Sequence, residues 1–145
     1  MKCISLWQIW AELVRRGLKL NETRSWPMPQ SMIDQPLAIH AAKVKFDPSD
    51  YVEVFSRQLL DDAAMDKPLI YGAVLCVVHP EKSVPTEQIR NGLSRRELLY
   101  GNYEDKRFAW PFQDIRVLPR PIPLVGRQGI FDWPEGDAIY REYLW

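Results

Sequence analysis

The 145-residue sequence has no excess of charge of either sign and only two cysteines. Its 19 Lys plus Arg residues balance 19 Asp plus Glu residues, which argues against a protein that holds nucleic acid by bulk charge and leaves room for a local basic pocket. Cys3 and Cys76 are too few for a disulfide framework or a zinc site. Both lie in apolar segments, so we expect buried, reduced thiols and a cytoplasmic protein.

Long hydrophobic runs are also missing. The longest apolar stretch, 69–78, is too short to span a bilayer and is typical of a buried strand. The first residues turn polar at Gln8, before any apolar core of signal-peptide length. We therefore expect no membrane partner. The length favours one domain over residues 1–145, which we take to be monomeric.

Proline and tryptophan are plentiful instead, with 12 and 6 residues, and they favour a chain of strands and turns. The pattern predicts strands at 3–7, 18–26, 37–46, 70–78 and 106–117. Pro111 demands an edge position or a bulge in the last of these, and Pro119, Pro121 and Pro123 predict a stiff connector after it.

Helices are predicted in three places. The apolar spacing over residues 9–14 predicts a helix that Gly17 ends. Asp47-Pro48 predicts another, which buries Tyr51, either Val54 or Phe55, and Leu59 and ends before Pro68. Ser94 to Glu97 has the capping-box spacing, which predicts a short helix. The fold class is therefore α+β, a small mixed β-barrel with helices packed on the outside.

Charged residues stand among apolar neighbours in the second predicted strand. In an ideal strand Glu22 and Arg24 share one face with Leu18 and Leu20, while Lys19 lies on the other. One interpretation is a partly buried ion pair that serves structure alone. The other is a cleft in which Lys19 joins the pair, and this requires a turn or bulge between Lys19 and Glu22.

Several segments together resemble the ASCH family (activating signal cointegrator homology domains), whose fold is similar to the RNA-binding PUA barrel. The most specific is the G-x-K-x-x-E-x-R motif at Gly17, Lys19, Glu22 and Arg24. The others, in the order of the family, are 5–11, 36–43, 72–75, 107–110 and 121–126. Ile9 stands where the family usually has proline, and Asp34-Gln35 stands where it usually has Arg-Gly, which removes a positive group from the rim of the expected cleft.

The resemblance implies a PUA-like domain whose cleft takes an RNA-related ligand, namely a nucleobase, a modified nucleoside or a short single strand of RNA. Lys19, Glu22 and Arg24 are the expected catalytic or reading residues. Small bacterial members hydrolyse N4-acylated cytidines with a threonine three places after the lysine, the position of Glu22 here, and a downstream glutamate. Thr23 comes one place late and is expected to face away.

An amidohydrolase is thus the alternative function, with Glu22 as general base, Lys19 as proton donor and Arg24 as the orienting group. A ribonuclease is a third. We expect no cofactor and no metal, because no carboxylate or histidine cluster has ligand spacing.

The remaining candidates for ligand binding are Gln8, Trp10, Trp26 and His40. Trp7, Trp10 and Trp26 can each stack on a base or fill the core, and Trp26 is preferred because it leads into a loop. His40 is more typical of a hydrogen-bonded barrel histidine. The capping box accounts for Glu97 without a further role. Residues 90–127 carry eight basic and four acidic side chains, which fits either a basic rim or a solvated face.

Overall fold

The computed structural model describes residues 1–62 and 67–145. Its strands are β1 Lys2–Leu6, β2 Asn21–Arg24, β3 Leu37–Ala41, β4 Ala73–Pro80, β5 Val84–Pro85, β6 Phe108–Pro123 and β7 Ile130–Asp132. Its helices are α1 Trp10–Arg15, α2 Glu53–Asp61, α3 Thr86–Ile89, α4 Arg95–Leu99 and α5 Gly136–Tyr143. Within the described residues, no helix combines the length and the apolar character that crossing a membrane requires.

The strands form one mixed sheet in the order β2-β6-β4-β3-β1-β7, and β5 also pairs with β6. β1 and β3 are parallel, whereas the other pairings are antiparallel. The sheet curls into a half-barrel with helices packed around it. This confirms the α+β class, and it places β2 at one end of the sheet, where its outer edge is open to other elements.

β6 is the strand that differs most from expectation. It runs through all three late prolines as one 16-residue strand, so the predicted connector is wrong. The register explains Pro119 and Pro121, because residues 118–121 lie opposite Leu75 alone, in a bulge where a missing N–H breaks no ladder bond. Pro123 pairs with Ala73 and is the last residue of the strand. Pro111 sits where β6 changes partners from β2 and β5 to β4. Bulges increase strand twist, which fits the curl of the sheet.

The core lies on both faces of the central strands. β3 is buried at all five positions and β4 at seven of eight, as their apolar sequences predict. α1 and α2 share a cluster on one side, formed by Ile9, Leu13, Phe55, Leu59 and Tyr100. Both cysteines are buried and free, and burial raises the pKa of each thiol to about 12.

Several elements are shorter than predicted. The predicted strand over 37–46 ends at Ala41, and the predicted helix at Asp47 is a 3-10 turn over Pro48–Asp50. The chain is extended again at Tyr51 and Val52 before α2 begins, and this places the Tyr51 ring against Phe46 and Phe55. α2 buries Phe55 and Leu59 as predicted and ends at Asp61. The rest of the stretch up to Pro68 includes residues 63–66, which lie outside the described residues.

Candidate functional site

The link between α1 and β2 bends sharply, and this bend builds the site. Gly17 ends α1 with a φ of +72°, a backbone conformation that favours glycine. The N–H groups of Leu18 and Lys19 both donate to the carbonyl of Leu13, at 2.9 and 3.1 Å. Regular strand therefore begins only at Asn21. Because residues 19 and 20 lie outside the regular strand, Lys19 and Glu22 meet, although residues three apart in a straight strand point to opposite faces.

Lys19 is a buried cation, with 1% of its surface exposed. Its Nζ donates to the carbonyl of Asn21 at 2.5 Å, lies 3.9 Å from Glu22 Oε1 and sits 5.9 Å from the centre of the Trp10 ring. Burial lowers the pKa of the Lys19 ammonium below its usual range, against the opposing effect of the Glu22 and Glu97 carboxylates. Proton transfer from this ammonium is therefore easier than from an exposed lysine.

Glu22 lies between two cations and is held loosely by both. Arg24 Nη2 is 3.5 Å from Oε2, and the arginine also donates to the Ser5 carbonyl at 3.3 Å. The firmest bond to the carboxylate is the Thr23 N–H, which donates to Oε1 at 3.0 Å. In a tight pair of the same protein, Arg15 approaches Glu12 to 2.5 Å. Glu22 thus keeps acceptor capacity for a further partner, which a purely structural ion pair does not need.

The Glu97 carboxylate reaches the same bend from α4. Ser94 Oγ accepts the Glu97 N–H at 3.1 Å, so half of the predicted capping box forms. The carboxylate does not return to Ser94 but accepts hydrogen bonds from the Leu20 N–H and, at 3.3 Å, from the Tyr103 hydroxyl. The capping box is therefore not the full account of Glu97, which braces the bend beside Lys19.

A cavity of about 520 Å³, the lysine cavity, opens onto these groups. Its polar lining includes Lys19, Glu22, Thr23 and Asn102. Aromatic side chains form a second wall, with Trp10 at 5.3 Å from Phe55 and 5.9 Å from Tyr51, and Phe55 at 5.7 Å from Tyr100, between ring centres. The cavity therefore joins a charged corner, formed by Lys19 and Glu22, to a broad apolar surface, and the exposed Asp50 is a further charged residue of its lining.

An open groove of about 370 Å³, the arginine groove, adjoins the lysine cavity. The two share Trp10, Glu22 and Thr23 as lining residues. The groove adds Trp7, which is 58% exposed, and the guanidinium groups of Arg24 and Arg107. It thus continues the cavity outward along a surface that carries two cations and an aromatic ring.

The fold is similar to that of solved structures. The crystal structure of an ASCH protein from Zymomonas mobilis matches over 97% of this chain and 93% of that one, with a TM-score of 0.58 and 19% identity. The chain has the ASCH fold. A serine-to-alanine variant of that protein matches with a TM-score of 0.58 at 18% identity, over 98% of this chain and 95% of the other. For a tyrosine-to-phenylalanine variant the values are 0.56 and 18%, over 94% and 92%.

No protein-family model matches the sequence, and no curated protein does. The likeness to solved structures is therefore one of fold, and the activity of this ASCH-fold chain has to be argued from its own side chains. Among residues 1–62 and 67–145, no group of three or more His, Cys, Asp or Glu side chains is placed to hold a metal ion.

The structure brings some of the predicted residues to this ASCH-fold cleft and places others elsewhere. Lys19, Glu22 and Trp10 line the lysine cavity, and Arg24 lines the groove. Trp26 lines neither, because its ring packs against Trp110 at 4.5 Å between centres.

Gln8 and His40 also lie apart from the cleft. The Gln8 amide is buried, since it donates to the Ile70 carbonyl at 2.7 Å and accepts the Glu12 N–H at 3.0 Å. His40 lies on β3, where it faces a different cavity.

Other residues of the cleft had no usable sequence signal. Thr23 was expected to face away, but it lines both the lysine cavity and the arginine groove, which adjoin β2 at the edge of the sheet. Its Oγ1 accepts the Asn102 N–H at 3.0 Å. Tyr51, Phe55 and Tyr100 come from distant segments. Arg107 supplies a cation from the basic stretch 90–127, in which Arg90, Arg96 and Arg116 are instead paired with aspartates.

The departures from the family pattern lie outside the cleft. Asp34 accepts a hydrogen bond from the Gln113 side chain at 2.9 Å, and neither Asp34 nor Gln35 lines the lysine cavity or the groove. Ile9 is fully buried beneath the aromatic wall. The absence of an arginine at positions 34–35 therefore does not remove a positive charge from the lysine cavity or the arginine groove.

Proposed function

We propose that the lysine cavity binds the base of an RNA-related ligand, a nucleobase or a modified nucleoside. The observation that carries the proposal is the pairing of a buried ammonium, Lys19, with a loosely held carboxylate, Glu22, opposite an aromatic wall. A base has a polar edge and a flat apolar face. The carboxylate can accept from an exocyclic amino group, and the ammonium can donate to a ring nitrogen or carbonyl. The volume of about 520 Å³ lies in the range of small-ligand sites.

The arginine groove supports an extension to a short single strand. Arg24 and Arg107 offer positive charge to a phosphate, and the exposed Trp7 ring offers a face for stacking of a neighbouring base. With zero net charge on the chain, such binding depends on these local groups. We therefore expect it to weaken with salt, whereas binding of a neutral nucleoside is expected to change little.

Thermal-shift measurements against a panel of modified nucleosides and short RNAs test the proposal. A ligand at 100 times its Kd stabilises the native state by about 2.7 kcal/mol, which raises Tm by roughly 5–10 °C. We expect the shift to be lost in Glu22→Gln and to persist in Lys82→Met, a control at an exposed lysine outside the cleft. A panel without any shift, or a shift of equal size in Glu22→Gln, contradicts the proposal.

The lowered pKa of Lys19 favours a second candidate, hydrolysis of N4-acylated cytidines. Glu22 takes a proton from water while the water oxygen attacks the amide carbonyl carbon. The carbon–nitrogen bond breaks as the Lys19 ammonium gives its proton to the leaving nitrogen, and the proton on Glu22 then passes to Lys19 to restore both groups. Arg24 orients the carboxylate. The products are a carboxylic acid and cytidine.

Incubation with N4-acetylcytidine separates the two candidates. Acetate release that falls at least about 100-fold in Glu22→Gln, with the variant still folded, supports the hydrolase. A thermal shift without acetate release, at enzyme concentrations that would reveal slow turnover, supports the binding module alone. Cleavage of an RNA oligonucleotide, incubated with the protein in place of N4-acetylcytidine, would instead indicate a ribonuclease.

A further inference from the structure

Ser5 and His40 form a hydrogen-bonded pair that the lysine cavity does not use. They are register partners on the parallel strands β1 and β3, and Ser5 Oγ lies 2.8 Å from His40 Nδ1. His40 Nε2 lies 2.7 Å from the Leu124 carbonyl, which can only accept. Nε2 therefore carries the proton in the neutral ring, and Nδ1 is the acceptor for the Ser5 hydroxyl. This is the arrangement of a nucleophile, a base and a group that orients the base.

The pair lies in a third cavity, of about 400 Å³, which we call the histidine cavity. His40 is 1% exposed, whereas Ser5 is only half-buried and lines both this cavity and the arginine groove. Lys43 and Arg127 supply two exposed cations to the rim. None of the described residues that line this cavity is acidic.

Gly126 packs directly over the pair. A Cβ at this position would lie 2.6 Å from His40 Cε1 and 2.7 Å from Ser5 Oγ. Its φ is not in the left-handed region, so the close approach, rather than the backbone conformation, explains the glycine. In the described chain the N–H groups of Gly126 and Arg127 donate to no protein acceptor. These two N–H groups are therefore free to donate to a ligand in the histidine cavity, which Gly126 and Arg127 both line.

We propose that Ser5 and His40 form an esterase site, in which Ser5 is the nucleophile and the substrate is a carboxylic ester that carries a negative charge. Ser5 Oγ bonds to the ester carbonyl carbon as its proton passes to His40 Nδ1. The carbon–oxygen bond to the alcohol breaks, and the alcohol takes that proton from Nδ1. Water then attacks the acyl carbon and gives one proton to Nδ1. The bond from that carbon to Ser5 Oγ breaks, Oγ takes the proton back from Nδ1, and the carboxylic acid leaves. Lys43 and Arg127 select for the negative charge of the substrate.

Covalent labelling with a fluorophosphonate tests the nucleophile. The probe forms an oxygen–phosphorus bond at an activated serine and releases fluoride, so mass spectrometry of the digested protein identifies the residue. We expect one adduct, on Ser5, with a rate that falls at least about 100-fold in His40→Asn. Ser5→Ala should take up no label, and Ser31→Ala, at an exposed serine, should label like the wild type.

Gly126→Ala gives a second test if His40→Asn does not fold, because Gly126 is exposed and its Cβ would lie 2.6 Å from the His40 ring and 2.7 Å from Ser5 Oγ. Circular dichroism verifies the fold of each variant, and the added methyl group should abolish labelling. A folded wild-type protein without label on Ser5, or Ser5 labelled equally fast in folded His40→Asn, refutes the proposal and leaves the pair as a link between β1 and β3.

Turnover of two model esters tests the substrate class. We expect mono-(4-nitrophenyl) succinate, which is anionic, to have a higher kcat/KM than 4-nitrophenyl acetate, and this preference to disappear in Lys43→Ala combined with Arg127→Ala. Equal values for the two esters in the wild type contradict the assigned negative charge.

Discussion

Removal of the Lys19 charge measures whether the charged corner acts as one unit. In Lys19→Met the Glu22 carboxylate loses a cation 3.9 Å away, and the Asn21 carbonyl loses its 2.5 Å donor, inside a site where Lys19 is 1% exposed. Loss of one partner from a buried ion pair typically costs 3–5 kcal/mol. Because this pair is loose and borders a cavity, we expect about 3 kcal/mol, or a fall in Tm of roughly 6–12 °C.

A double-mutant cycle with Glu22→Gln isolates the coupling. In the Glu22→Gln background, Lys19→Met no longer leaves the Glu22 carboxylate without its cation. The loss of unfolding free energy caused by Lys19→Met should therefore be smaller by about 1–2 kcal/mol. Urea unfolding followed by circular dichroism provides the four free energies of unfolding.

The exposed pair Glu53–Arg57 is the matched control. It is closer, at 2.6 Å, but both side chains are about three-quarters exposed, and we expect a coupling below about 0.5 kcal/mol. If the Lys19–Glu22 coupling is no larger than that of this surface pair, the two groups are not one unit and the reasoning fails.

Three further predictions concern glycine, histidine and cysteine. Gly101→Ala should destabilise the protein by about 1–3 kcal/mol in urea unfolding, since its Cβ would lie 2.6 Å from the Tyr103 ring, whereas Gly92→Ala meets nothing within 4 Å and should not show this loss. Burial lowers the pKa of His40, so the unfolded chain takes up a proton at this residue before the folded chain does as the pH falls below about 6.5. The free energy of unfolding should therefore decrease from that pH down to the folded-state pKa, and more steeply than in His40→Asn. Both cysteine thiols should resist Ellman's reagent at pH 8 in the native protein and react in urea, since burial raises the pKa of each to about 12; rapid reaction of the native protein would contradict this.

Local sequence signals predicted the end of α1, the start of α4 and the polar motif. The Gly17 stop and the Ser94 cap act within a few residues of themselves, and both are present. The functional interpretation of the motif required a turn or bulge between Lys19 and Glu22. In the structure regular strand begins only at Asn21, and the two side chains lie 3.9 Å apart. Residue type and spacing sufficed here because the interactions span one turn of chain.

Features set by distant parts of the chain could not be predicted in this way. The Glu97 carboxylate braces Leu20 across 77 positions of sequence, and no periodicity reports such a contact. Trp26 follows an edge strand as a loop residue does, yet its ring turns onto Trp110, while Trp7 stays exposed. The three late prolines predicted a connector rather than a strand, because the bulge that contains Pro119 and Pro121 depends on the register of β6 with β4.

The lysine cavity draws its two halves from different parts of the chain. The charged corner comes from one contiguous piece, 17–24, which is held by backbone bonds to Leu13 and Val14 of α1 and by Glu97. The apolar wall comes from Tyr51, Phe55 and Tyr100, which lie on separate elements. Substitutions in the wall can therefore resize the space offered to a guest without moving the charges. Under the proposed function, such substitutions would change which ligands fit while the polar contacts stay the same.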